Sequence, residues 1–278
     1  MTEAEFLVLL RPLATHPAAR GLLDDAAVLG DLVLTHDVLV EGVHFLPDDP
    51  PEGIAWKLIA VNLSDLAAKG ATPVGVLLGY PLSTSEWDAA FVRGLGEALA
   101  HFEVALLGGD TVKGPRVLSM TAIGRAEIAP SRGGAKAGNR LWVTGTIGRA
   151  GLGLAGDPAH LQAYRRPPPR LAEGRALAPL VTAMMDVSDG LLIDARRMAD
   201  ASGLRVTIDL DAVPLVGERI AAVTAGDDYQ LLFSLPDGVE SPVQASQIGL
   251  FEAGDGISLV DRHGLVPLPE RLGWQHGI

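Results

Sequence analysis

Apolar and polar positions along the chain switch repeatedly between the period of a strand and the period of a helix. Residues 2–10 predict a short amphipathic helix, stopped near Pro12. Two apolar runs within residues 26–40, AAVL and LVLTHDVLV, are broken at Gly30–Asp31 and predict two strands. DDPPEGIAWKLIAVNLSDLAAKGA then predicts a helix. Asp49 is placed to N-cap it, Pro50 or Pro51 suits its first turn, and Gly70 suits the position just past its end. VGVLLGYPL (74–82) reads as a strand and residues 85–102 as a helix. VALLGGDTV (104–112) and RVLSMTAIGRAE (116–127) read as strands.

The pattern breaks at APSRGGAKAGNR (129–140), which is polar and rich in Gly and Ala. A strand, LWVTGT, restarts it and leads through a Gly-rich turn into a short helix. RRPPPR (165–170) is a rigid connector. Residues 170–183 and 189–202 predict helices around the strand-like AMMDVS, and 206–215 and 228–236 predict strands. Strands and helices alternate in both halves, so the expectation is an α/β (α+β) chain of two domains, 1–130 and 131–278.

Composition narrows the function. The chain has 278 residues and is 48% hydrophobic, enough for packed cores. The net charge is −12 and no Lys/Arg run is present, which argues against nucleic acid as a partner. An acidic protein can still bind a polyphosphate if Mg²⁺ lies between the two sets of negative charge. There are no cysteines, which excludes disulfides, thiolate zinc sites and a Cys nucleophile. MTEAEFLVLL lacks the features of a secretory leader, and no apolar run is long enough to span a bilayer. The expectation is a cytoplasmic protein without a membrane partner.

The chemistry lies in where the aspartates fall. Asp24–Asp25, Asp37, Asp65, Asp110, Asp186 and Asp189 stand at the ends of apolar runs or within them, and Asp65, Asp110 and Asp189 are next to Gly, Ser or Thr. Mg²⁺ takes hard oxygen ligands, usually one or two carboxylates with phosphate oxygens and water, so carboxylates drawn together would suit several ions on a triphosphate. Each has a structural reading beside this. Asp25 and Asp189 suit caps or turns, Asp110 in GGD suits a turn, and Asp65 could pair with Lys69 at i,i+4 on an exposed helix face. Asp37 lies between apolar runs, where a buried carboxylate needs a partner. His44 could be a structural histidine paired with Glu41, and Arg132 a solvated loop residue. Gly151, Gly153 and Gly156 spell G-x-G-x-x-G, read here as packing or a turn. A P-loop and the protein-kinase motifs are missing.

Taken together, DDAAVL, THDVLVEGVHF, KLIAVNLSDLAAKGATP, ALLGGDT, SRGGAKAGN, LWVTGTIG, RRPPPR, MDVSDGLLID, GDDYQLLF and GWQH resemble the thiamine-monophosphate kinase family, in order and over nearly the whole chain. VEGVHF followed by VNLSDLAAKGA is the most specific stretch; the SDG and GGD pieces are shared with related ATP-dependent synthetases. The resemblance implies an N-terminal domain that pairs with a second copy into a dimeric barrel, and a C-terminal domain that closes over the nucleotide. It implies direct in-line transfer from ATP to thiamine monophosphate, with no residue acting as acid or base. By motif, Asp25, Thr35, Asp37, Asp65, Asp110, Asp186 and Asp189 would hold Mg²⁺. Gly109, Asp110, Arg132 and Ser188 would contact ATP; His44, Asp227 and Trp274 would line the thiamine site. The chain departs from the family at Asp227 and Gln230, where Glu is usual, at His36, where a hydroxyl residue is usual, and at Lys69, where Met is usual. The alternatives are another synthetase of the superfamily, or a non-catalytic Mg²⁺–nucleotide binding protein.

Overall fold

The computed structural model describes residues 2–276. A capping box from Thr2 starts α1 (Glu3–Leu10). The first half continues with β1 (Ala27–Leu29), β2 (Leu32–Val40), α2 (Pro51–Ala68), β3 (Thr72–Leu82), α3 (Ser85–His101), β4 (Ala105–Lys113) and β5 (Val117–Arg125). Its five strands form one sheet in the order β1-β2-β5-β3-β4. Only the β3–β4 pair is parallel, so the mixed α/β class expected is realised with mainly antiparallel ladders.

The second half holds β6 (Arg140–Thr144), α4 (Arg149–Leu154), α5 (Leu161–Arg165), α6 (Leu171–Leu177), β7 (Ala183–Asp186) and α7 (Leu191–Ser202). It ends with β8 (Arg205–Asp209), α8 (Arg219–Thr224), β9 (Leu231–Leu235), β10 (Ala245–Glu252), β11 (Gly256–Asp261) and β12 (Gly264–Val266). Its seven strands run β12-β11-β8-β10-β6-β9-β7. Two segments are shorter than the pattern predicts. The helix expected over 170–183 stops at Leu177 because Pro179 cannot continue it. The strand expected over 206–215 stops at Asp209, whose carboxylate accepts from Asp211 N at 3.0 Å and turns the chain.

The long central helix α2 is enclosed almost all round. Fifteen of its eighteen residues are buried. Ile54, Leu58, Ile59 and Leu63 pack with the first sheet and α3, whereas Ala67 and Ala68 belong to a cluster with Trp142, Met184 and Phe233 of the second sheet. Its C-terminal end therefore lies in the core of the other half. Gly70, with φ 62°, ends it as expected. Asp49 does not cap it: the N-cap is Pro50, and the Asp49 carboxylate takes Leu46 N (2.8 Å), Tyr164 OH (3.0 Å) and Arg165 Nε (2.8 Å) instead. The tertiary partners outcompete a local cap.

Candidate active site

Strand β2 and helix α2 bring the first carboxylates together. Thr35 and Asp37, two apart on β2, share one face. Thr35 Oγ1 donates to Asp65 on α2, and Asp37 N donates to Asn62 Oδ1, also on α2. From the other sheet, Asp186 at the end of β7 accepts from Ser64 Oγ. His36 faces the opposite side of β2 and bonds Thr121 Oγ1 at 2.8 Å, so the His36 departure does not enter the cluster.

The carboxylates so gathered act on one another electrostatically. Burial, then the charges of Asp25 and Asp189, push Asp37 up to about 6. Burial and the charge of Asp25 push Asp186 up to about 8. Asp65 is raised well above the carboxylate range by burial, Asp37, Asp186 and Asp25. Among the described residues none of the three has a cationic partner.

Asp25 behaves in the opposite way. Burial alone would raise it, but Arg132 and Lys69 outweigh burial and hold it well below the usual range. Arg132 Nη2 donates to Asp25 Oδ1, and Lys69 Nζ stands 2.7 Å from Asp25 Oδ2. Lys69 also pairs with Asp24, which Arg20 holds from its far side at 2.6 Å. Two structural expectations are corrected here. Lys69 is fully buried and pairs with Asp24 and Asp25, not with Asp65 across an exposed face. Arg132 is a largely buried ion-pair partner, not a solvated loop residue. Both follow from the enclosure of α2 by the second half of the chain.

The SDG loop joins this cluster to a second group. Asp194 Oδ2 accepts from the backbone N–H of Ser188, Asp189 and Gly190, at 3.1, 3.0 and 3.2 Å. Arg197 clamps Asp189 and Asp194. Ser188 O accepts from Asp227 N (2.7 Å), and Asp189 O from Trp274 N (2.8 Å). Asp227, at φ 62°, receives Lys57 Nζ at 2.7 Å and Tyr229 OH at 3.1 Å, and Lys57 also donates to His44 O at 2.9 Å. His276 brings its ring to 5.3 Å from His44 and 6.1 Å from Trp274. His44, Asp227 and Trp274 thus lie near one another beside the SDG loop. His44 is not paired with Glu41, which takes Arg116; its Nδ1 accepts from Val40 N at 3.0 Å.

Asp110 and Gly109 stand apart. In register, Asp110 lies level with Gly79, Ser119 and Val38. That is three strands from β2, roughly 14 Å at the usual spacing. All nine residues of β4 are exposed. Gly109 has a structural requirement as well, since a Cβ there would fall 1.9 Å from Leu78 O. Lys57, Asp194, Tyr229 and His276 are not singled out by the sequence, and Lys69 enters there only as a surface partner of Asp65 and a departure from the usual Met. The burial of both lysines has no local signal, but Asp194 stands four residues past Gly190 in a loop-to-helix junction and was within reach of a capping argument.

Among the described residues no three of the His, Asp and Glu side chains form a ready metal cage. The chemistry nonetheless fits Mg²⁺. That ion takes only one or two carboxylates beside phosphate and water, and Asp37, Asp65 and Asp186 are buried carboxyls with no paired cation among the described residues, raised groups that a bound divalent cation would favour in the deprotonated form. Asp25 Oδ2 is buried against Lys69 Nζ at 2.7 Å. No described helix is long and apolar enough to cross a membrane.

Residues 23–126 match the AIR synthase related protein N-terminal domain, and residues 136–262 its C-terminal domain. A thiamine-monophosphate kinase of Caulobacter vibrioides is 42% identical, over 97% of this chain and 89% of its own. The solved structure of AaThiL complexed with AMPPCP and TMP superposes with a TM-score of 0.88 at 30% identity, covering 99% of this chain and 97% of that one. The thiamine-monophosphate kinase of Stenotrophomonas maltophilia gives 0.77 at 32% identity, covering 93% and 97%.

Proposed function

The chain belongs to the thiamine-monophosphate kinase family, and from that premise we infer that it phosphorylates thiamine monophosphate with ATP, giving thiamine diphosphate and ADP. The observation that carries the reading is the convergence of Asp37, Asp65 and Asp186 from both halves of the chain on one stretch of α2, beside the group formed by His44, Asp227 and Trp274. The related structure whose bound molecules are AMPPCP and TMP supports the same pair of substrates.

In the proposed mechanism an oxygen of the acceptor phosphate attacks the γ-phosphorus of ATP in line. The new P–O bond forms as the bond to the β–γ bridging oxygen breaks, and ADP leaves with the electron pair. The attacking oxygen is already anionic, so no side chain has to remove a proton. Magnesium, when bound with ATP, supplies the positive charge that lets two anions approach and offsets charge on the transferring group. Asp25, Thr35, Asp37, Asp65, Asp186 and Asp189 would hold several such ions, with Asp110 a further ligand from its separate place on β4. Gly109, Arg132 and Ser188 would meet ATP. Trp274, 49% exposed, offers a face for the pyrimidine or the cationic thiazolium, and Asp227 a carboxylate for the substrate's polar edge.

The reading extends to assembly. Residues 1–130 and 131–278 act as two units, and the exposed β4 edge pairs with a second copy in a homodimer. The test is incubation with MgATP and thiamine monophosphate, followed by chromatography. Stoichiometric thiamine diphosphate and ADP, lost in EDTA, are expected. A folded protein that binds MgATP but forms no thiamine diphosphate would overturn the assignment.

A further inference from the structure

The carboxylates of the site divide into two corners of different electrical character. Among the described residues the Asp65 and Asp186 carboxyls accept from the Thr35 and Ser64 hydroxyls, and no cation pairs with them or with Asp37, whose backbone N–H donates to Asn62 Oδ1. Asp24 and Asp25 are packed with cations: Arg20, Arg132 and, between them, Lys69. Lys69 is 0% exposed, its partners 1% and 4%. Its ammonium also donates to Met184 O at 3.1 Å, a backbone group of β7. One side chain at the end of α2 thereby ties together the loop carrying Asp24–Asp25, the central helix and the second sheet. A buried ammonium is stable only when paired and hydrogen-bonded, and here it is both. The family resemblance sets Met at this position, a side chain of similar reach without charge.

We propose that Lys69 is a resident cation of the site: locked between Asp24 and Asp25, it brings to that corner the charge a metal ion would otherwise supply, and so assembles the carboxylates before magnesium and nucleotide arrive. Lys69 is a positioning residue. It holds Asp25 in place, and leaves the Asp37, Asp65 and Asp186 corner as the one that depends on added metal. The inference rests on the reading of Asp25 as part of a magnesium site.

The test uses the nucleotide-free protein and two variants, Lys69→Met and Lys69→Gln, the second keeping a hydrogen-bond donor and most of the stem. Each is melted in EDTA and in millimolar Mg²⁺, and titrated with Mg²⁺ by calorimetry. In EDTA both variants should melt on the order of 10 °C below the wild type, the consequence of two adjacent buried carboxylates that lose the cation between them and keep only Arg20 and Arg132 on their outer sides. Mg²⁺ should restore at least half of that loss, and the variants should bind Mg²⁺ roughly tenfold or more tightly than the wild type. A loss that Mg²⁺ does not restore, a variant unfolded in both conditions, or variants that melt like the wild type in EDTA would each overturn the proposal. Thiamine diphosphate formation is assayed alongside. Metal rescue without turnover would retain the role of Lys69 and remove the kinase reading; turnover without rescue would do the reverse.

Discussion

Single side chains decide how the two ends of the site differ. Trp274 is half exposed and tethered through its backbone to Asp189. Trp274→Ala should raise the KM for thiamine monophosphate about tenfold and leave that for ATP within about twofold, since a stacked face contributes on the order of 1 kcal/mol. Equal effects on both substrates in steady-state kinetics would argue against stacking. Asp110 is a contrasting case. It is exposed, and its carboxylate accepts only from Thr111 N among the described residues. Asp110→Asn should melt within about 1 °C of the wild type, because exposed positions carry little stability. It should lose turnover by about a hundredfold or more, because a neutral amide is a poor Mg²⁺ ligand. Near-normal turnover would remove Asp110 from the metal set. Asp227 shows how a shorter side chain can still be held in place. Lys57, itself 2% exposed, reaches its carboxylate, and a left-handed backbone presents it.

At the scale of elements, the short helix α4 is capped from far along the chain. Asp228 accepts from Gly148 N (2.6 Å) and Ala150 N (3.2 Å), the first N–H groups of that helix. Asp228→Asn keeps the shape but weakens the cap, and should cost about 1 kcal/mol in denaturant unfolding. Burial nevertheless lifts Asp228 from 3.8 to about 6. The folded state therefore holds the proton more tightly than the unfolded chain. The stabilisation from that proton is complete below about pH 4 and is lost as pH rises through about 6. The difference in Tm between wild type and Asp228→Asn should accordingly shrink, in the wild type's disfavour, between those values. A difference that grows with pH would reverse the assignment. Elements such as α2 were legible from Pro50, Pro51 and Gly70, because caps and breakers act locally. Its partners were not. The apolar pattern of a helix buried all round does not say which face meets which neighbour, so Lys69 looked free to pair with Asp65. β10 was not picked out as a strand of its own, because Ala245–Gly249 is small and polar and its pairing with β6 and β8 is non-local.

For the whole molecule, the proposed assembly centres on β4. It ends the first sheet, and Leu106, Leu107 and Val112 on it are 48%, 52% and 55% exposed. An exposed apolar edge of that length invites another strand. Light scattering should give a mass twice the 29.0 kDa of the chain. Val112→Lys should shift it toward the monomer and reduce turnover with it. A wild-type protein that stays monomeric at micromolar concentration would exclude the dimer.

The burial of the end of α2 in the far core also sets a schedule for synthesis. Ala67 and Ala68 leave the ribosome long before β7 and β9, whose side chains cover them. At ordinary elongation rates the interval to residue 235 is roughly 10–30 s. Over that time the N-terminal half carries an apolar helix end with nothing to pack against, together with a lysine whose backbone acceptor on β7 does not yet exist. Its final packing therefore waits for the C-terminal half, which makes the nascent chain a candidate client for chaperones that hold emerging apolar segments.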